Sequence, residues 1–286
     1  IVQAETAPIA SRIQKNIDEK NAVISGYALI AAELDKMKDF ANSTKGATAF
    51  SVNSDSTSVA VKVSDQSKAK AFDASISVSS LASSQTLEFS GFSSKTAAIN
   101  KGTISIDFGS WSGSNFSVNS EKAAQSLQIT DANNNISDLA NALSALSGVN
   151  ATVTDKGDGT FSLIINSDTG AKNALRLNVT EDGSDAGLAA FDTSTNNSNK
   201  QVVAAQDAAL TLNGVQITRT TNTITDLIDG YEFKLNNTTS AAATIISSID
   251  ADLAFTQVKG FVDVFNSVNA TIDSLTNRGA NGTEKG

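Results

Sequence analysis

The first 45 residues carry apolar side chains at a helical period. Their spacings of 4, 7, 3, 4 and 3 are typical of a helix that packs along one seam. Pro8, the only proline, is expected in the first turn, where its missing N–H costs nothing. The pattern predicts one helix over 9–41, about 50 Å long from the helical rise. The row consists of Ile13, Ile17, Ile24, Tyr27, Ala31 and Leu34, with Lys20 and Lys38 interrupting it.

A second row of this kind lies near the other end of the chain. Its spacings of 3, 4, 3, 4 and 3 give an unbroken heptad seam, and Asp250 or Asp252 can cap the helix start. The glycine-rich segment 278–282 is expected to end this helix. Two seams at opposite chain ends predict an antiparallel helical leg, although a helix that covers a core shows the same local pattern. The second row is Val258, Phe261, Phe265, Val268, Ile272 and Leu275.

Between the two rows the apolar period changes to two, which predicts half-buried strands. Turn residues predict hairpins at Asp155–Gly159 and at Asn213-Gly214. One helix interrupts the strands, capped by Asn135 and ending at Ser147-Gly148. The predicted strand segments are Val59–Val63, Ser75–Val78, Thr86–Phe89, Thr103–Phe108, Phe161–Ile165, Ala209–Leu212 and Tyr231–Leu235.

Two soft boundaries divide the strand region. One lies near 90–94, and the other is the polar run 192–200, which has almost nothing to bury and is expected to be a surface loop. The sequence therefore predicts an α+β multidomain protein with two nested, sandwich-like β domains. The predicted parts are an incomplete coiled-coil leg from 1–45 and 253–286, a β-rich domain from 46–90 and 202–252, and an inserted β-rich outer domain at 91–201.

The amino-acid composition limits the catalytic and metal-binding sites that the chain can form. The chain has 21 basic and 30 acidic side chains, a net charge of −9, no His and no Cys. These absences exclude Ser-His-Asp and Cys-His nucleophilic pairs, zinc fingers and disulfides. The negative charge opposes binding to nucleic acid, and no apolar stretch approaches the roughly 20 residues that would predict membrane insertion.

The remaining candidate chemistry is weak. Asp131–Asn135 begins like an EF-hand loop but has Ile136 where the motif needs glycine. The other acidic loops, 155–159 and 181–185, are interpreted as turns, because turns use the same residues. Trp111 is interpreted as packing over a strand edge, with exposure at a hairpin tip as the alternative. We therefore expect no catalytic residues, no cofactor and no metal.

Five segments in a fixed order along the chain carry a resemblance to one known family. They are Val2–Pro8 as V-x-A-E-x-x-P, Ser75–Gln85, the stretch 136–177 with its flagellin hook motif, the group Ala205–Ala208, Asn213–Val215, Ile217–Arg219, Asn222–Ile224 and Ile228–Gly230, and Phe261–Asn266. Together they resemble the bacterial flagellar filament cap proteins, also called the hook-associated protein 2 family. Ala74 stands where that family has an aromatic residue.

The resemblance implies a non-enzymatic structural cap at the distal end of the bacterial flagellum, exported by the flagellar type III system and located outside the cell. It implies a ring of about four to six subunits that promotes folding and insertion of flagellin. It also implies contact with hook-filament junction proteins, adhesion to host mucin or cell surfaces as a second role, and a leg that continues beyond these residues.

Two other classes of function stay open at this stage. A stand-alone β-sandwich surface adhesin would share the acidity and the Ser/Thr/Asn-rich strands. A carboxylate-dependent glycosidase needs only two acids at a suitable separation. Binding to mucin and hydrolysis of glycans distinguish these alternatives from a structural cap.

Overall fold

The computed structural model describes residues 2–44, 49–183 and 187–276. The chain forms two compact units. One contains the two long helices together with Val63–Ala71, and the other contains Val52–Lys62 and Phe72–Ile246. Helices at both ends and many strands between them confirm the α+β class.

The helices and strands alternate as follows. In chain order they are α1 (Val2–Thr44), β1 (Phe50–Ser54), β2 (Val59–Val63), β3 (Phe72–Ser80), β4 (Ser84–Phe92), β5 (Gly102–Ser112), β6 (Asn115–Val118), β7 (Gln125–Ile129), α2 (Ile136–Ser144), β8 (Val149–Asp155), β9 (Phe161–Thr169), β10 (Ala174–Glu181), β11 (Gln201–Val203), β12 (Ala208–Leu212), β13 (Val215–Arg219), β14 (Thr223–Ile224), β15 (Tyr231–Leu235), β16 (Ala243–Ile249) and α3 (Ala251–Thr276).

The ends of the long helices differ in how well they were predicted. Helix α1 begins at Val2, so Pro8 lies inside the helix and its predicted place in the first turn is wrong. The proline ring fixes φ near the helical value, so the helix can continue through it at the cost of a backbone hydrogen bond. Asp250 caps α3 as predicted, because its Oδ1 accepts a hydrogen bond from Leu253 N at 2.9 Å. The predicted stop at 278–282 lies outside the described residues.

All seven predicted strand segments lie within observed strands. The hairpin β8–β9 turns at Asp155–Gly159, and the hairpin β12–β13 turns at Asn213-Gly214. Asn213 and Gly214 have φ values of 50° and 83°, the left-handed geometry of a two-residue hairpin turn. Both hairpin predictions are confirmed.

A first hydrophobic core, here called the inserted core, lies between two four-stranded sheets. Their strand orders are β11-β4-β9-β8 and β10-β5-β6, with β7 pairing to β5. Helix α2 packs its apolar face into this core, and Asn135 Oδ1 caps its start by accepting from the N–H groups of Ser137 and Asp138. The largest fully buried side chains of the inserted core are Phe89, Phe108, Phe191, Leu87, Ile99, Ile104, Ile106, Ile129 and Ile136.

A second set of buried residues, here called the flanking core, lies on strands before and after the inserted core in the chain. The sheets are β1-β16-β3-β12-β13 and β14-β15-β2, and alternate residues of their strands are buried. Strand β4 pairs with β9 within the inserted core. The division into nested domains at 90–91 and 201–202 stays a prediction. The flanking core consists of Val59, Ala74, Ile76, Val78, Ala208, Leu210, Ile224, Tyr231, Phe233, Leu235, Ala243 and Ile245.

The polar run 192–200 is a loop, but the expectation that it buries almost nothing is wrong. Thr193 and Asn197 are buried. Strand β10 lies at the edge of its sheet, and the loop supplies oxygens to its outward backbone. Leu177 N donates to Thr193 Oγ1 at 2.9 Å, and Val179 N donates to Asp192 Oδ2 at 3.1 Å. Polar side chains are buried here because strand amides need acceptors.

The side chain of Glu181 binds the backbone of residues 187–189, which precede this loop. Its Oε1 accepts hydrogen bonds from Gly187 N at 2.7 Å and Ala189 N at 2.8 Å. Leu188 and Phe191, on the short helical turn that follows, are fully buried in the inserted core. The backbone hydrogen bonds from Ala189 and Gly187 lower the pKa of Glu181, because they stabilise the charged form.

We expect acid to loosen this segment. A lowered pKa in the folded state means that Glu181 contributes stability above the ordinary carboxyl pKa of about 4, and that this contribution is lost as the pH falls through the lowered value. Amide hydrogen exchange of Gly187 and Ala189, corrected for intrinsic rates, should therefore show less protection near pH 3 than at pH 7.

The matched control is Glu181→Gln, which keeps a neutral oxygen acceptor at the same position. Protection of the two amides in this variant should not change between the two pH values. Equal protection of the parent protein at both pH values would contradict the role given to the carboxylate.

Candidate functional site

The two long helices form an antiparallel pair, and three contacts define its register. The ring of Phe40 lies against Gly260, Ser267 Oγ donates to Glu33 Oε2 at 3.0 Å, and Leu275 lies against Gly26. As α1 runs forward, its partners on α3 run backward. A Cβ on Gly260 would stand 2.9 Å from Phe40 Cζ, so glycine allows the close approach at this point.

The facing rows of this pair follow the heptad period. The less exposed residues of α1 are spaced 4, 3, 4, 3 and 4 apart, which is the seam of a coiled coil. On α3 the corresponding row centres on Val268, the only buried residue of the helix. The α1 row is Gly26, Ile30, Glu33, Met37, Phe40 and Thr44, and the α3 row is Ala254, Gln257, Gly260, Val264, Val268, Thr271 and Leu275.

Most of the predicted seam residues lie outside these facing rows. Tyr27 is 70% exposed and Phe265 is 45% exposed, whereas Val268 is only 6% exposed. Ile272 is half-buried. The exposed members of the predicted seam are Ile13, Ile17, Ile24, Tyr27, Leu34, Val258, Phe261 and Phe265.

The exposed seam residues of the paired region nevertheless share one side of the helix pair. Tyr27 and Leu34 follow facing residues of α1 by one position, and Phe261 and Phe265 follow facing residues of α3 by one position. One residue turns a helix by about 100°. In an antiparallel pair, this same turn on both helices leads to the same side. The two helices therefore present one continuous apolar side, here called the open face.

The open face leads to a groove where the described part of α3 ends. Leu275 contacts Gly26, so the part of α1 before Gly26 runs past the last described turn of α3. Ile13 and Ile17 lie on this part of α1. The groove has a volume of about 180 Å³ and is lined by Ala22, Val23, Gly26, Tyr27, Ile30, Leu275 and Thr276.

One carboxylate lies in the facing row and is fully partnered. Glu33 Oε1 accepts from Lys36 Nζ at 2.6 Å, and Oε2 accepts from Ser267 Oγ. The hydrogen bonds from Lys36 and Ser267 lower the pKa of Glu33. A polar residue at a seam position is expected to fix which residues face each other, so Glu33 and Ser267 help to set the register.

The facing residues escaped sequence reasoning because many of them are small or polar. Gly26, Gly260 and Thr44 do not register in a search for apolar periodicity, whereas Tyr27 and Phe261 beside them do. Two glycines inside helices were the available signal, since glycine costs helix stability unless a close approach requires it.

The other candidate chemistry resolves into structural contacts. Asp131 pairs with Lys101 at 3.2 Å, and Asp158 Oδ1 accepts from Thr160 N at 2.9 Å within its turn. Trp111 donates from Nε1 to Leu175 O at 3.0 Å and packs on Phe116, as the packing interpretation predicts. Within the described ranges, no group of three or more acidic side chains could hold a metal ion. Ser184 and Asp185 lie outside those ranges.

No helix among the described residues is long and apolar enough to cross a membrane. Lys259 and Asp263, which pair at 2.6 Å, precede facing residues of α3 by one position and therefore lie on the side opposite to the open face.

Comparison with family models matches both ends of the chain to one protein family. Residues 1–85 match the family model described as the N-terminus of flagellar hook-associated protein 2. Residues 205–285 match the model described as its C-terminus. The two matched segments contain both long helices.

Individual relatives extend the match across most of the chain. The flagellar hook-associated protein 2 of Escherichia coli O157:H7 is 30% identical over 261 residues, covering 89% of this chain and 54% of the relative. That of Salmonella typhimurium is 32% identical over 131 residues, covering 46% of this chain and 28% of the relative. The chain thus spans about half the length of the E. coli relative, or less in the Salmonella case.

Solved structures agree. The crystal structure of the flagellar cap protein FliD D1-D2-D3 domains from Escherichia coli matches with a TM-score of 0.75 and 29% identity, covering 88% of this chain and 71% of that chain. The D2-D3 domains of the E. coli protein match with a TM-score of 0.60 and 30% identity, covering 71% of this chain and all of that one.

Val268 is buried and Phe265 is exposed on the same helix, and this difference allows a test of the helix pair. Val268→Asp places a charge in the buried row and should destabilise the pair by about 3 kcal/mol. Phe265→Asp, on the open face, should leave the unfolding of the pair nearly unchanged. Thermal unfolding followed by circular dichroism at the helical band measures both. Equal losses in the two variants would show that the facing rows are assigned wrongly.

Proposed function

Since the chain belongs to the flagellar hook-associated protein 2 family, we propose that it is part of a structural cap at the distal end of the bacterial flagellum. The observation that supports this most is the order of the family matches, with the N-terminal model on the first helix and the C-terminal model on the last one. The protein is exported by the flagellar type III system, works outside the cell, and is structural rather than enzymatic.

The leg of this cap is proposed to be larger than the described helix pair. Exposed apolar side chains that share one side of a surface mark interaction sites in soluble proteins. Tyr27, Phe261 and Phe265 share the open face of the described helix pair. We therefore retain the predicted leg from 1–45 and 253–286, and propose that its eight exposed seam residues form the surface against which further helical segments of the longer protein pack. Val268 is instead buried in the contact between the two helices, and Ile272 is half-buried.

In this proposal the cap is a ring of about four to six copies. Each leg must release and re-engage while the ring stays together, so individual contacts are weak and many act at once. The partners are flagellin, which folds and inserts beneath the ring, and the hook-filament junction proteins. Adhesion to host mucin or cell surfaces stays a prediction, and binding of the purified protein to mucin is its test.

Deletion of the gene should abolish filament growth and release unpolymerised flagellin into the medium, because nothing then retains the exported subunits at the tip. The full-length gene should restore filaments, and residues 1–286 alone should not. Electron microscopy of cells and immunoblots of the medium measure both effects. Filaments of normal length in the deletion strain would contradict the cap proposal.

The open face can be tested in the same strain. Full-length protein with Phe261→Ser and Phe265→Ser should give shorter filaments and more flagellin in the medium. The control is Val118→Ser, which removes another exposed apolar side chain, from β6, and should restore filaments fully. Full restoration by the double variant would contradict the role of the open face and leave the cap function itself standing.

A further inference from the structure

The chain passes between the flanking core and the inserted core at two neighbouring places. Ser83 and Gln206 pair there as an isolated bridge, with Ser83 N donating to Gln206 O at 2.9 Å and Gln206 N donating to Ser83 O at 3.0 Å. Ser83 Oγ also donates to Ala204 O at 2.8 Å. Two crossing segments of this kind form a narrow ribbon, and a two-stranded ribbon by itself is only marginally stable.

Side-chain amides hold the ribbon on both sides. On the flanking side, Asn222 Oδ1 accepts from Ala82 N at 2.7 Å, and its Nδ2 donates to Ala82 O at 2.8 Å. On the inserted side, Gln85 is fully buried and its Oε1 accepts from Leu175 N at 2.6 Å. Each amide thereby ties the crossing strand to a neighbouring part of one core.

A third contact lies beside the ribbon. Strand β9 of the inserted core ends at Thr169, and Gly170 follows with φ of 107°. A Cβ on Gly170 would stand 2.8 Å from Cβ of Thr220, which belongs to the loop after β13. The next residue, Ala171, donates its N–H to Asp207 Oδ1 at 2.7 Å, and Gly170 N donates to Ser83 O at 3.2 Å.

This third contact restricts how the two cores can move about the ribbon that connects them. Hinges are a few residues at the ends of elements that absorb changes in φ and ψ, and the ribbon alone would offer such a place. A contact to one side of it prevents bending and twisting about the ribbon. Glycine at 170 is required, since any side chain would collide with Thr220 and would adopt an unfavourable φ.

We propose that Asp207, Gly170 and Thr220 form a lock that fixes the flanking and inserted cores in one orientation. Asp207 and Gly170 are positioning residues in this device, and the two amide clamps at Asn222 and Gln85 keep the ribbon in place for it. The two cores then move as one body. The lock follows from contacts between residues next to the flanking and inserted cores and does not depend on the cap function.

Distance measurements between spin labels can test the lock, because the chain has no Cys and labels attach only where a cysteine is introduced. Ser114→Cys labels the exposed β5–β6 turn of the inserted core, and Ala60→Cys labels an exposed position of β2 in the flanking core. The parent should give one narrow distribution of distances. Asp207→Ala with Thr220→Gly should lose that narrow peak to a broad distribution.

Asp207→Asn is the matched control, because the asparagine Oδ1 can still accept from Ala171 N, and it should keep the narrow peak. Thermal unfolding confirms that both cores remain folded in each variant. If the double variant does not fold, Asp207→Ala, which removes the acceptor of Ala171 N, and Thr220→Gly, which removes the contact with Gly170, are measured separately. Each should then broaden the distribution. A narrow peak in a folded protein that lacks the lock would overturn the proposal.

Discussion

The β-rich part of the chain depends on hydrogen bonds between side chains and the backbone at strand edges. Three successive outward amides of β10 illustrate this, because Leu175, Leu177 and Val179 donate to Gln85, Thr193 and Asp192 in turn. On β8, the hydroxyl of Ser144 both accepts from Ala151 N and donates to Ala151 O. An unpaired backbone group that is buried costs about as much as a lost hydrogen bond. Polar residues that would otherwise weaken the cores therefore complete them, and the same solution recurs in the amide clamps of the ribbon.

This dependence explains which parts of the fold could be predicted from the sequence. Alternating residues such as Thr103–Phe108 report burial on one face, so the seven predicted strand segments and the two predicted hairpin turns were found correctly. Strand β16 also buries alternate residues but was not predicted. The polar run containing Thr193 and Asn197 was expected to bury almost nothing, because composition records that a side chain is polar and not that a strand amide needs it. Asn222 and Asp207 were noted only as part of a family resemblance for the same reason. Their roles require the spatial position of Ala82 and Ala171.

The helix pair shows a second limit. The heptad period was present in the sequence, but the strongest apolar residues lie one position after the facing ones. Gly26, Glu33 and Gly260 face the partner helix because small size and a shared hydrogen bond permit close packing, whereas Tyr27 and Phe261 remain exposed. The spacing of apolar residues indicates that a helix has an apolar side, but it does not indicate which side faces a particular partner helix. In α1 and α3 it therefore reports exposed apolar positions as well as the facing rows of the pair.

The occupied edge of β10 also bears on how copies of this protein behave when crowded together. An open strand edge is a template on which a neighbouring molecule can add its own strand, and such pairing leads to aggregation. Where Gln85, Thr193 and Asp192 already take up the outward amides, a neighbour finds no donors to pair with. The edge of β10 is therefore closed to strand addition, and a contact between two copies at this edge would be made by side chains.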